Sequence, residues 1–136
     1  MSQPVFSWPV RVYWEDTDAG GVVYHAAYVR FYERARTEWL RSRGIVQSAM
    51  AVDLGVLFVL YGLQLKFKRP ARLDDLLEVR LRLSSLSRTR MVIDHDLHLS
   101  ADGSLLGQAT AEVACIKATS FKPRSIPPDI VKELQA

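Results

Sequence analysis

The hydrophobic pattern of this chain changes period once, early, and then changes back. Residues 6–14 (FSWPVRVYW) alternate late in the run, with Val10, Val12 and Trp14 on one side, which is a strand pattern. Pro9 favours an edge position or the strand start, because it has no amide proton to donate. EDTDAGG at 15–21 is turn chemistry. From about Tyr24 to Arg43 the period is helical. Tyr28, Phe31, Tyr32, Ala35 and Trp39 fall on one face, and Arg30, Glu33, Arg34, Thr37, Glu38 and Arg41 on the other. Arg34 and Glu38 form an i, i+4 pair of opposite charge. Gly44 stands where a left-handed cap is expected.

Residues 45–55 give no clear period. Alternation then returns at 57–68 (ending LQLKFK, stopped by Pro70), at 76–83, at 90–100, and at 105–118 after an Asp102-Gly103 hairpin signal. The proline-bearing tail suits a short helical turn near Asp129 to Leu134. The order is strand, long helix, four strands with hairpin-length connections. That predicts an α+β domain over residues 1–136, a mostly antiparallel sheet wrapped around one long helix whose aromatic face it buries.

Composition changes this picture little. At 136 residues with 49% apolar content, the chain can build a core without metal or disulfides. The single cysteine, Cys115, excludes an intrachain disulfide and reads as a small buried residue, which points to a reducing, cytoplasmic setting. The N-terminal residues MSQPVFSWPV lack a basic start and a long apolar stretch, so no leader is expected. The longest apolar run, Leu54 to Leu63, is about half of a membrane span. The formal net charge of +3 is too mild to select a nucleic acid, and no concentrated basic stripe accompanies it.

The candidate chemistry lies in residues 13–39. Glu15, Asp16 and Asp18 precede Gly20 and Gly21, and the main helix follows. The first amides of a helix have no partner within it, and with the helix dipole they favour developing negative charge. A carboxylate beside such a helix start suits acyl hydrolysis, one group activating water and the other holding the oxyanion. Aspartates before a helix also serve as caps and turn formers. A calcium loop starting at Asp16 fails, because Ala27 stands where the bidentate glutamate belongs.

Glu15-Asp16-Thr17-Asp18, Gly21-Val22-Val23-Tyr24-His25 and Glu33-Arg34-Ala35-Arg36-Thr37-Glu38-Trp39 closely resemble the Tol–Pal-associated acyl-CoA thioesterases of the YbgC type. These belong to the hydroxybenzoyl-CoA branch of the hotdog fold. The resemblance covers essentially the whole chain. It implies a homodimer joined edge to edge along its sheets, or a tetramer of such dimers, with acyl-CoA sites at the subunit interface. It implies Asp18 as nucleophile or general base, and His25 as the residue whose backbone amide, with its side chain nearby, faces the thioester. Tyr24 reads as packing. The resemblance places CoA phosphate contacts at Arg88, in the turn before the fourth strand, and at Arg124, after the last strand; Arg90 and Lys122 lie beside them. It implies no cofactor and no metal. Peripheral membrane association is compatible with it. A non-catalytic acyl-thioester binding or scaffold protein of the Tol–Pal envelope system is the alternative.

Two other groups read as structural. His95 and His98 with Asp94 and Asp96 resemble a metal cluster on paper, but strand alternation puts His95 on one face and the other three on the opposite face. Lys66, Lys68 and Arg69 read as a solvated strand face.

Overall fold

The computed structural model describes residues 5–136, so the leader reading at residues 1–4 lies outside it. Its elements are β1 (Phe6–Arg11), a 3-10 turn (Trp14–Asp16), α1 (His25–Ser42), α2 (Gln47–Leu54), β2 (Val56–Phe67), β3 (Leu76–Leu86), β4 (Arg90–Leu99), β5 (Leu105–Lys117) and α3 (Pro128–Gln135). The strands form one antiparallel sheet in the order β1-β3-β4-β5-β2. β1 lies at one edge, as Pro9 suggested, and β2 at the other. The α+β expectation is met.

α1 carries the core. Tyr28, Phe31, Tyr32, Ala35 and Trp39 are all buried. They pack on the inward positions of the sheet, among them Leu77, Val79, Leu81, Met91, Ile93 and Leu97. Burial of aromatic and branched side chains of this kind contributes roughly 1.5–3 kcal/mol each. The helix ends at Gly44, which takes φ 77°, while the amide of Ile45 donates to the carbonyl of Leu40 at 2.9 Å. That bond from beyond the end back into the last turn needs a left-handed residue between its partners.

Three details depart from the sequence reading. The first strand stops at Arg11, and Trp14 is 79% exposed rather than sharing the buried side of Val10 and Val12. The cause is Asp16, whose carboxylate accepts the Tyr13 amide at 2.9 Å and winds residues 14–16 into a turn. Residues 47–54 form a helix, α2, which buries only Met50; with so narrow a core stripe it left no period to read. Glu38 pairs with Arg41 at 3.4 Å rather than with Arg34. Arg41 lies in the last turn, where free helix carbonyls also favour a cation.

β4 confirms the split of the histidine cluster. His95 is 1% exposed on the inward face. Asp94 and Asp96 point outward and accept hydrogen bonds from Thr110 and Gln108 on β5, at 3.1 and 3.0 Å. Cys115 is buried, as expected. Among the described residues no helix is long and apolar enough to cross a membrane.

The buried His95 sets a pH dependence. Burial first, and then the neighbouring Arg36 charge, lower its pKa from 6.5 to about 3. The unfolded chain therefore binds a proton that the native state refuses, so stability is full above about pH 6.5 and falls as the pH drops toward 3. Urea titrations of wild type should show the midpoint falling between pH 7 and pH 4, and His95→Gln should flatten that fall.

Candidate active site

The loop before α1 is held by backbone bonds from three sides. The Tyr24 amide donates to the Asp16 carbonyl at 2.8 Å, the Asp18 amide to Val22 at 3.0 Å, and the Val23 amide to Ala71 at 2.9 Å. Gly21 adopts φ 77°, which lets the chain reverse within this short span. Asp16 is 2% exposed and lies 3.6 Å from Arg30 on the second turn of α1. The loop is thereby tied to the helix it precedes.

Asp18 sits at the tip of this loop and is exposed. Its Oδ1 accepts the Gly20 amide at 2.8 Å. That local turn engages one carboxylate oxygen and fixes the side chain's direction.

α1 starts at His25 with no side-chain cap. Among the described residues, the His25 and Ala26 amides donate to no protein acceptor. The His25 ring is exposed and packs against Tyr24, with centroids 4.3 Å apart.

Beside this helix start is a cleft of about 250 Å³. Val23, His25, Tyr28, Phe67, Lys68, Arg69 and Pro70 line it. The Tyr28 hydroxyl accepts the Ala71 amide at 3.1 Å, and its ring meets Phe67 edge-on at 5.3 Å. Burial raises the Tyr28 pKa, and the charges of Asp18 and Asp75 raise it further.

The structure separates the expected site residues into two groups. Asp18 and His25 lie at the Phe67 end of β2. Arg88 and Arg124 lie at the opposite end of the sheet, where Cys115 accepts the Arg124 amide at 3.0 Å and Arg88 accepts the Ile126 amide at 2.8 Å. The Arg88 guanidinium also donates to the Ser125 hydroxyl at 2.7 Å. Arg90 stands over the Tyr61 ring at 5.0 Å. Between Gly107, paired with Phe67, and Ile116, paired with Leu57, β5 spans about 30 Å at about 3.3 Å per residue. One chain's arginines therefore do not reach its own Asp18.

Tyr28, Lys68 and Arg69 line the cleft but were not picked out as site residues from sequence. Tyr28 fits the core stripe, and its hydroxyl direction carries no periodic signal. Lys68 and Arg69 read as a solvated face because the strand ends at Phe67 and the chain then turns toward the helix start. Among the described residues no group of three or more histidine, cysteine or acidic side chains is placed to hold a metal.

Residues 12–134 match the model of the thioesterase-like superfamily. The chain belongs to that family. As a member it is a thioester hydrolase, and its α+β architecture is the hotdog fold. It is 45% identical over 135 residues to the acyl-CoA thioester hydrolase YbgC of Escherichia coli O6:H1, covering 99% of each chain. It is 41% identical to the acyl-CoA thioesterase YbgC of Haemophilus influenzae, covering 92% of this chain and 90% of that one. Among solved structures it superposes on a probable thioesterase from Bartonella henselae with a TM-score of 0.86 at 35% identity, covering 91% of this chain and all of that one.

Tyr28→Phe should leave the buried Ala71 amide without its acceptor, at a cost of about 1–3 kcal/mol. Chemical denaturation should read this as a lower midpoint with an unchanged slope.

Proposed function

We infer that this chain hydrolyses acyl-CoA thioesters, with Asp18 as the activating carboxylate and the start of α1 as the oxyanion site. The observation that carries this is the combination of free His25 and Ala26 amides at the start of α1, a cleft beside that start, and the exposed Asp18 carboxylate in the loop that leads into it. As general base, Asp18 takes a proton from water while the oxygen attacks the thioester carbon. The carbonyl oxygen becomes an oxyanion and accepts the His25 amide. The intermediate then collapses, the C–S bond breaks, and the CoA sulfur takes the proton from Asp18. As nucleophile, the carboxylate oxygen itself attacks and CoA leaves as the thiolate; water then opens the resulting anhydride, regenerating the carboxylate and releasing the acid with the proton that the thiolate takes up. Both routes need the same geometry. The exposed His25 ring lines the same cleft.

The two-group arrangement supports a working dimer. β2 is a 12-residue edge strand with Leu60, Tyr61 and Phe67 about half exposed. A long apolar edge of this kind is a template for pairing with a second chain. Two copies joined antiparallel along β2 bring the Arg88–Arg124 end of one toward the Asp18 end of the other. CoA phosphates would then rest on one subunit's arginines while its thioester enters the other's cleft.

Asp18→Asn should lower kcat by about 10²–10⁴-fold with thermal stability unchanged, measured by thiol release from an acyl-CoA panel. Retention of most of the turnover in that variant would defeat the assignment. Arg88→Ala with Arg124→Ala should raise KM for acyl-CoA about tenfold or more and leave kinetics on the matching acyl-pantetheine, which lacks the nucleotide phosphates, unchanged.

A further inference from the structure

Arg36 is the one arginine of α1 that faces the core. It is 9% exposed, and burial lowers its pKa. The ion pairs among the described residues are Arg30–Asp16, Arg41–Glu38 and Arg80–Glu78, and none involves Arg36. Its partner is the His95 ring, with Nη1 3.3 Å from Nε2. The other ring nitrogen, Nδ1, lies 3.3 Å from the Ala109 carbonyl. A ring that donates from Nδ1 accepts at Nε2 and is neutral. The guanidinium thus has a hydrogen-bond acceptor but no carboxylate within ion-pair distance, and the charge of Glu33 offsets its burial only in part. A buried cation in that state is costly unless an anion reaches it.

Room for one exists. Arg36 lines a cavity of about 160 Å³ between α1, α2 and the inward face of the sheet. Leu40, Phe58, Leu60, Met91 and Ile93 give it an apolar wall. Thr37 and Gln47 are polar neighbours of Arg36 in it, and an apolar wall with a few polar groups is the usual form of a small-ligand site. Glu33 also borders it, but is exposed to screening water and accepts the Thr37 hydroxyl at 2.9 Å.

The cavity is placed in line with the cleft at His25. Both lie along α1 against β2, one at Phe67 and the other at Phe58 and Leu60. Leu63 and Leu65, half buried, lie on the strand between them. From His25 to Arg36 the helix rises about 16 Å at about 1.5 Å per residue, the reach of roughly a dozen extended carbon–carbon bonds.

Building on the thioesterase reading above, we propose that the Arg36 cavity is a carboxylate subsite for the far end of the acyl group, which makes acyl-CoAs ending in a second carboxylate a substrate class of this enzyme. The planar guanidinium offers two parallel donors to a carboxylate. The methylene chain lies on the apolar seam, and the terminal charge neutralises the buried cation. A hydroxyl would satisfy a donor but bring no negative charge to the guanidinium.

The test compares monocarboxylic and dicarboxylic acyl-CoAs of matched length, from succinyl to tetradecanedioyl, on wild type and on Arg36→Met and Arg36→Lys. The ratio of kcat/KM for the diacid ester to that for its plain counterpart should peak near the dodecanedioyl length. It should fall about tenfold or more in Arg36→Met and recover in part in Arg36→Lys. Calorimetry with free dodecanedioate and laurate gives a second readout that needs no catalysis, on wild type and on Asp18→Asn. Tighter binding of the diacid in both supports the subsite even if Asp18 proves dispensable for turnover. Equal affinity of wild type for the two acids, or a kinetic ratio unchanged by Arg36→Met at every length, overturns it.

Discussion

The burial of one helix face against one sheet face governs everything else in this molecule. Tyr28, Phe31, Tyr32, Ala35 and Trp39 can leave water only by lying on the inward residues of β3, β4 and β5. Once they do, the first turn of α1 is fixed over the Phe67 end of β2, and its free amides gain a defined position. The loop bonds from Asp16, Val22 and Ala71 then hold Asp18 beside them. The chemistry of the site is a by-product of packing geometry: no side chain has to be oriented from far away. Electrostatic assistance from backbone amides is effective because those amides are already in place when charge develops.

The same packing makes room for an exception. Helix positions facing a sheet are normally apolar, yet Arg36 and His95 meet there at 3.3 Å. Their mutual accommodation depends on the ring staying neutral, which its low pKa ensures. Well-packed apolar residues in place of buried charged groups often leave stability unchanged or raise it. That asymmetry is why its position argues for ligand recognition.

Much of this was legible in the sequence. The 3.6-residue aromatic period, the alternating later strands and the Asp102-Gly103 turn are local signals, and each names its element. Position 18 stood out because glycines and a helix start follow it. What was not legible depends on distance along the sheet. Arg88 and Arg124 look like members of one site with Asp18 on paper, and only strand register shows them at opposite ends. Arg36 escaped notice because a charged residue beside a polar stripe is normally solvated. Its burial follows from where the helix rotates on the sheet, which no window of sequence reports. Trp14 erred in the other direction: a capping aspartate two residues on overrode the alternation.

The two borders of the sheet are unlike, and this bears on how far assembly can proceed. β1 is short and interrupted by Pro9, while β2 is long and unbroken by proline. A pair joined through β2 would present only β1 margins to its surroundings. Further copies would find a missing donor there instead of a clean ladder. A chain with one inviting border and one poor one can double without polymerising, so a sheet edge that would otherwise be a hazard in a crowded cell would serve as a self-terminating joint.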